Sequence, residues 1–229
     1  MIKKTDGELR TNVMFQLGWD SRVTATDIGV AVKDGVVTLT GTVSSYAEKV
    51  AAKEAAHSVL GVLDVANEIE VWVSADARHT DNDIALAVRH ALNWDVLVPA
   101  DKIHSTVTHG QVTLEGNVEN FRHRLEAERA VSHLQGVRGV TNKIVVVTPT
   151  NPGKVQFLIE ELLTVRAERE AGRIRVGVEG GQVTLTGAVK SWDEKKAILG
   201  AVSHAPGVTA VHDHLFIAPY DVGFEAALP

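Results

Sequence analysis

The sequence contains no cysteine in its 229 residues. This absence excludes disulfide bonds, thiolate metal sites and catalysis by a cysteine nucleophile. Basic residues are also in deficit, because 23 lysines and arginines are outnumbered by 29 aspartates and glutamates, which gives a formal net charge of −6. Proteins that bind nucleic acid generally present a basic face. The charge balance therefore argues against nucleic acid as a partner.

Long apolar runs and familiar catalytic motifs are missing as well. No segment approaches the roughly 20 apolar residues that a membrane-spanning helix requires. The N-terminus is charged and no apolar stretch follows it, so we see no signal peptide and expect a soluble protein. We expect it in the cytoplasm as written, or in the periplasm if a leader has been removed. Because the chain has neither a Gly-x-Ser-x-Gly nucleophile motif nor a glycine-rich phosphate loop, we expect no enzyme, no catalytic residue and no cofactor.

What the chain does contain is one stretch that occurs three times. Residues 35–43 read Gly-Val-Val-Thr-Leu-Thr-Gly-Thr-Val, and the pattern returns at residues 110–118 and 181–189. A third glycine follows the second one of each copy after a constant 20 residues. Such a repeat predicts tandem domains, which we place at residues 1–76, 77–149 and 150–219, followed by a tail at residues 220–229. We expect structural roles for the glycines that mark the copies, which are Gly35, Gly41, Gly61, Gly110, Gly116, Gly136, Gly181, Gly187 and Gly207.

Each copy shows the same order of elements. A helical stripe follows a capping sequence at Thr5 in the first copy and at Thr80 in the second. Next come an alternating strand, a turn such as Asp34-Gly35, and the repeated strand. In that strand Gly41 lies on the inward face, where the lack of a side chain would let a helix approach closely.

A second helix and a closing strand complete each copy. Ser45, Asn120 and Ser191 are at equivalent positions and predict the N-caps of the second helix. Glu48 and Glu194 then predict capping boxes in the first and third copies. The order helix, strand, strand, helix, strand gives an α+β fold, in which three tandem αββαβ two-layer sandwiches each pack two helices on one face of a three-stranded mixed sheet.

The pattern Gly-x-Val-x-Leu-x-Gly-x-Val, an alanine-rich helix and then Gly-Val-x-x-Val-x-Asn-x-Ile-x-Val resembles the BON domain, named after bacterial osmotic-shock and nodulation proteins. Residues 35–71 and 110–146 carry it closely, including Asn67 and Asn142, whereas the third copy has Asp213 at the asparagine position. The resemblance implies the αββαβ fold and an association with phospholipid or membrane surfaces in stress and envelope proteins. It brings no catalytic residues.

Basic residues cluster in the second helix of the middle copy, which is the least acidic copy, with 8 basic and 8 acidic groups. Arg122 and Arg124 open that helix and Arg129 is nearby in sequence, and the free N–H groups of the helix start and the added charge would both attract a phosphate. They are our candidates for an anionic lipid site. The alternative is an ordinary charged helix face, offset by Glu119, Glu126 and Glu128.

Trp19 and Trp94 occupy equivalent positions after the first helix of the first two copies. An exposed tryptophan there could insert at a membrane interface or anchor a partner. The alternative is that each ring covers the rim of a small core. Trp72 and Trp192 are single occurrences, and we assign them no role.

His212 and His214 share the open face of the last strand, where two imidazoles could approach a divalent cation. Two ligands are too few for tight binding, so the pattern favours a solvated face and we predict no metal site. We therefore expect a non-enzymatic protein of the osmotic or envelope stress-response type, whose tandem domains associate with anionic phospholipid or a membrane surface. The alternative is a soluble module that binds proteins through exposed sheet faces or edges. The sequence leaves the oligomeric state open.

Overall fold

The computed structural model describes residues 4–73, 79–147, 155, 157–159 and 174–218. The domain boundaries predicted near residues 76, 149 and 219 lie outside the described residues. The same is true of the tail at residues 220–229 and of most of the first helix of the third copy, where Val155 and residues 157–159 are helical.

Each domain follows the predicted order of elements. The first contains α1 (Asp6–Trp19), a 3-10 turn (Ala25–Asp27), β1 (Ile28–Lys33), β2 (Val36–Val43), α2 (Tyr46–His57), β3 (Asp64–Asn67) and β4 (Glu70–Val71). The second contains α3 (Asp81–Trp94), a 3-10 turn (Ala100–Lys102), β5 (Ile103–Thr108), β6 (Gln111–Val118), α4 (Phe121–Ser132) and β7 (Gly139–Val146). The described part of the third contains β8 (Ile174–Glu179), β9 (Gln182–Val189), α5 (Trp192–Ser203) and β10 (Ala210–Ile217).

The strand that carries the repeated motif is central in every sheet. Strand β2 is antiparallel to β1 and parallel to β3 and β4. Strands β6 and β9 hold the same place between β5 and β7 and between β8 and β10. The predicted α+β fold of three αββαβ units is therefore confirmed.

The core lies between each sheet and its helices. Val37 and Leu39 of the central strand are fully buried, as is Val13 of α1. The outward residues of the same strand are exposed or half-buried, which is the alternation expected of a sheet covered on one face only. The buried side chains of the second and third domains form one continuous cluster, and those of the first domain form their own.

The helix caps confirm most of the sequence interpretation. Thr5 and Thr80 form complete capping boxes, and the side chains of Ser45, Asn120 and Ser191 each accept the backbone N–H three residues on.

The capping boxes predicted for Glu48 and Glu194 are wrong by one residue. Glu48 accepts the N–H of Ser44, the residue before the cap, at 3.1 Å and that of Thr24 at 2.7 Å. Glu194 likewise accepts the N–H of Lys190 at 2.6 Å. In both domains the carboxylate thus links the end of the preceding strand to the helix. The chain enters the helix so that the N–H of the residue before the N-cap lies closer to the carboxylate than the N–H of the N-cap residue does.

The repeated glycines all adopt positive φ, a conformation that other residues rarely adopt. The Asp34-Gly35 turn has φ of 52° and 79°, positive at both positions as a type I′ hairpin requires. The reason predicted for Gly41 is wrong, however. A Cβ there would lie 2.0 Å from the carbonyl oxygen of Asp27, so the close neighbour is the chain entering β1 and not a helix. Gly116 has the same relation to Lys102, at 2.1 Å.

Candidate functional site

The two equivalent tryptophans lie on the surface at the end of the first helix of their domains. Trp19 is 76% exposed and stacks on Phe15, with ring centroids 5.9 Å apart. Trp94 is 84% exposed, and Val96 in the following loop is 99% exposed. Neither indole covers the rim of a core, so the structural alternative considered for these residues does not hold. We call Trp94, Val96 and Leu97 the apolar tip of the second domain.

The three arginines of α4 do not converge on one point. Arg122 and Arg129 both approach Glu126, at 3.8 and 3.5 Å, and both remain largely exposed. Arg124 turns toward the protein instead, where it donates to the carbonyl of Asn142 at 3.2 Å and lies over the ring of Phe121. Two of the three predicted lipid-binding side chains are therefore accessible, and the third holds the helix to strand β7.

The internal repeat shows how the apolar tip and these arginines are related. In the first domain Arg22 pairs with Glu54 of α2 at 3.0 Å. Positions 22 and 54 correspond to Leu97 and Arg129 in the second domain. In the second domain these two positions therefore hold an apolar and a basic side chain, so the ion pair of the first domain cannot form there.

The histidines considered as metal ligands are on the open face of β10. His212 and His214 are exposed, and Nε2 of His212 lies 3.3 Å from the side-chain oxygen of Gln182. Asp213 points to the opposite side and pairs with Lys195. Within the described parts of the chain, no three histidine, cysteine, aspartate or glutamate side chains are placed to hold a metal ion together.

Sequence reasoning missed a set of aromatic residues at equivalent positions, two of which lie where domains meet. Tyr46, Phe121 and Trp192 are each the first residue of the second helix of their domain. Tyr46 packs against the core of the other domains, and its hydroxyl is hydrogen-bonded to the backbone of Val140 in the second domain. Burial raises the pKa of Tyr46.

Trp192 makes the corresponding contact from the third domain to the first. Its ring stacks on His57 at the end of α2, with centroids 3.6 Å apart and planes inclined by 10°. Lys196, one turn further along α5, pairs with Glu54 of α2 at 3.1 Å. The signal in the sequence was an aromatic residue directly after the N-cap in all three copies. This signal is easily overlooked, because the aromatic residue is a tyrosine in one copy, a phenylalanine in the next and a tryptophan in the third.

Among the described residues, no helix is both long enough and apolar enough to cross a membrane.

Comparison with known proteins gives one family and one curated relative. The BON domain matches at residues 5–71, 80–148 and 155–219. Over 143 residues the chain is 28% identical to osmotically-inducible protein Y of Escherichia coli strain K12, a stretch that covers 61% of this chain and 71% of that protein. The family and this relative point to a non-enzymatic protein.

Among solved structures, the C-terminal domain of CdsD, a structural protein of the type III secretion system of Chlamydia trachomatis, aligns with 95% of this chain and 100% of its own. The identity is 14% and the TM-score is 0.27. This TM-score is too low to indicate that the two chains share an architecture.

Proposed function

The chain belongs to the BON domain family, three of whose domains it carries in tandem, and on that premise we propose that it is a non-enzymatic osmotic stress protein that associates with anionic phospholipid surfaces. The osmotic part of the proposal draws on the name of its relative, osmotically-inducible protein Y. The observation that carries the lipid part is the apolar tip of the second domain, with Trp94 84% and Val96 99% exposed.

The apolar tip supplies the attraction that does not depend on charge. Burying one such side chain stabilises by about 1.5–3 kcal/mol, and an indole ring suits the level of the lipid headgroups. Two or three side chains therefore give weak, reversible attachment. Trp19 and Phe15 form a second exposed group at the equivalent place in the first domain, and two joined contacts bind more tightly than either alone.

The exposed arginines supply the preference for anionic headgroups. A net charge of −6 does not prevent this, because charges further apart than a Debye length of about 8 Å are largely screened at physiological salt. What matters is the local charge of the surface that would meet the headgroups. Arg122 and Arg129 share a single carboxylate, that of Glu126, so the side of α4 that carries them keeps one positive charge in excess.

Co-sedimentation with liposomes tests this proposal. The protein should pellet with vesicles containing phosphatidylglycerol at low salt, less at physiological salt, and little with pure phosphatidylcholine. Trp94→Ala together with Val96→Ser should weaken binding at both salt concentrations, whereas Arg122→Glu together with Arg129→Glu should remove the preference for the anionic lipid.

Matched controls come from other exposed side chains of the same type. Phe216→Ala removes an apolar side chain that is 57% exposed on the third domain, and Lys143→Glu reverses a charge that is exposed on β7. Both should bind as the unchanged protein does. If no vesicle is bound at either salt concentration, or if the controls lose binding equally, the lipid proposal is wrong.

A protein-binding module is the second candidate, and one observation favours it. The closing strands present exposed apolar side chains on the open side of their sheets at related positions, namely Trp72, Val145, Val147 and Phe216. Strand edges and apolar faces of this kind can pair with other chains. Light scattering after size exclusion would show a mass that rises with concentration and falls again in Val145→Thr with Phe216→Thr. A constant monomer mass would contradict association between copies of this chain.

A further inference from the structure

The contact between the first and third domains is centred on two rings that are far apart in sequence. His57 ends α2 and Trp192 begins α5, and their rings are stacked at 3.6 Å. Nε2 of His57 and Nε1 of Trp192 are both buried and have no hydrogen-bond partner within the described residues. A buried polar atom without a partner carries an energetic cost, so the two rings are held together by stacking and apolar burial.

Charged groups from both domains surround the histidine. Lys53 and Lys195 oppose a positive charge on the imidazole, while Asp64 and Glu54 favour it. The negative charge of Glu54 is already matched by Arg22 of the first domain and Lys196 of the third. In addition, Nζ of Lys195 lies 4.8 Å from the centre of the Trp192 ring, so that ring already interacts with one cation.

Burial outweighs the influences that would favour the charged imidazole. A histidine in the last turn of a helix is ordinarily stabilised as a cation by the helix dipole. Here desolvation, followed by repulsion from Lys53, lowers the pKa of His57 to about 4. At neutral pH the ring is therefore uncharged and stacks on Trp192.

We propose that the stack of His57 on Trp192 is a pH-sensitive latch, which holds the first domain against the third at neutral pH and releases it when the imidazole is protonated. Interfaces between domains of one chain are commonly small and allow relative motion, so a charge introduced at a buried contact shifts the balance between the closed and open arrangements. Release exposes both rings and leaves each domain folded.

The pH window follows from the direction of the shift. A free imidazole has a pKa near 6.5, and the latched one has a pKa of about 4. The open form therefore binds the proton more readily, so the latch is fully stable above pH 6.5 and loses stability as the pH falls from 6.5 toward 4. After allowing for solvent screening of a partly exposed ring, we expect the closed-to-open ratio to fall about ten- to a hundredfold over this window.

The experiment uses the absence of native cysteine. Lys33→Cys and Glu179→Cys place two labels on exposed hairpin ends of the first and third domains, and energy transfer between them reports the separation of the domains. Transfer should stay constant above pH 6.5 and change between pH 6.5 and 4, while far-ultraviolet circular dichroism stays unchanged. Lys196→Ala, which removes the pair with Glu54, should move the midpoint toward neutral pH.

Two substitutions of histidine separate the latch from a general effect of acid. His57→Phe keeps a stacking ring that cannot be protonated, so transfer should become independent of pH. His133→Phe makes the same change at an exposed helix end of the second domain and should leave the response as it was. A response that persists in His57→Phe, or the absence of any response in the unchanged protein, overturns the proposal.

Titration of His57 itself by nuclear magnetic resonance tests the proposal without the energy-transfer labels. The imidazole resonance that disappears in His57→Phe should titrate below pH 5 in the unchanged protein and near 6.5 in Trp192→Ser. Titration near pH 6.5 with Trp192 intact would overturn the proposal, even if the domains moved at low pH.

Discussion

Lys195 and Asp213 form an ion pair inside the third domain, with Nζ and Oδ2 2.9 Å apart. The same ammonium donates to the carbonyl of Leu215 at 2.7 Å, and Lys195 as a whole is only 8% exposed. The pair joins the first turn of α5 to strand β10. It explains why the third copy has an aspartate where the other two have an asparagine.

In the other domains an asparagine makes this connection. Asn67 donates to the carbonyl of Lys49 at 2.9 Å, and Asn142 donates to that of Arg124 at 2.8 Å. An aspartate has no N–H to donate. The third domain therefore takes the donor from the helix side, through Lys195, and keeps the carboxylate on the strand.

Removing the aspartate should leave the lysine charge poorly compensated. We expect Asp213→Ala to lower the free energy of unfolding of the third domain by about 2 kcal/mol, less than for a fully buried pair because Asp213 is partly exposed. Urea denaturation measures this, and Asp193→Ala on the exposed side of α5 should change little. If Asp213→Ala is as stable as Asp193→Ala, the pair does not stabilise the domain.

Replacing the asparagine at this position by aspartate should lower the free energy of unfolding more in the second domain, at Asn142, than in the first, at Asn67. Asn142 also donates to the carboxylate of Glu128 at 3.1 Å, so an aspartate there would place two negative charges in contact. We expect Asn142→Asp to destabilise by about 2–3 kcal/mol at pH 7 and to recover part of this near pH 4, as the carboxylates become protonated. Asn67→Asp is the matched control, since among the described residues Nδ2 of Asn67 has no acidic partner. Equal losses in both domains would contradict the charge argument.

A methyl group at Gly116 should disrupt the second domain. The Cβ would lie 2.1 Å from the carbonyl oxygen of Lys102, and φ is 147°. We expect Gly116→Ala to cost about 3 kcal/mol or more, from overlap and backbone strain together. Gly200→Ala lies within α5, where nothing would be within 4 Å of the new Cβ, and should stabilise by about 0.5–1 kcal/mol. Thermal unfolding of the two variants should therefore shift in opposite directions, and a shift in the same direction would show that the steric argument fails.

The stability contributed by Glu48 should depend on pH. Burial by itself would raise the pKa of this carboxyl, but hydrogen bonds from Thr24 and Ser44 outweigh it and hold the pKa below its ordinary value of 4.5. A lowered carboxyl pKa stabilises the folded state above the ordinary value, and the contribution is lost as the pH falls through the folded pKa.

We therefore expect Glu48→Gln to be less stable than the unchanged protein by about 1–2 kcal/mol at pH 7, with the difference shrinking toward pH 3. Denaturant titrations at several pH values measure this. Glu70→Gln on the exposed strand β4 should be neutral throughout. A difference for Glu48→Gln that does not vary with pH would show that shape, and not charge, is responsible.

Local patterns in the sequence predicted the architecture correctly. The stripe of Leu9, Val13 and Leu17, the cap at Ser45 and the Asp34-Gly35 turn each depend on residues within a few positions of one another. Such short-range rules fix which segments become helices, strands and turns. Because the chain states them three times, the fold class could be derived without any structure.

The contacts between distant segments could not be read in this way. The sequence did not show that Gly41 makes room for the carbonyl of Asp27, or that Arg124 turns toward Asn142 and away from solvent. These outcomes depend on how the strands are aligned and how the helices lie on the sheet, which is a property of the packed domain.

The arrangement of the three domains is the clearest case. The stacking of Trp192 on His57 arises only when two folded domains are brought together. The sequence by itself determined three domains and the elements within each one, because hydrophobic periodicity, caps and turns act over short distances. Only the tertiary structure decided which side chains meet, because burial and pairing depend on surfaces that exist only after the elements have packed.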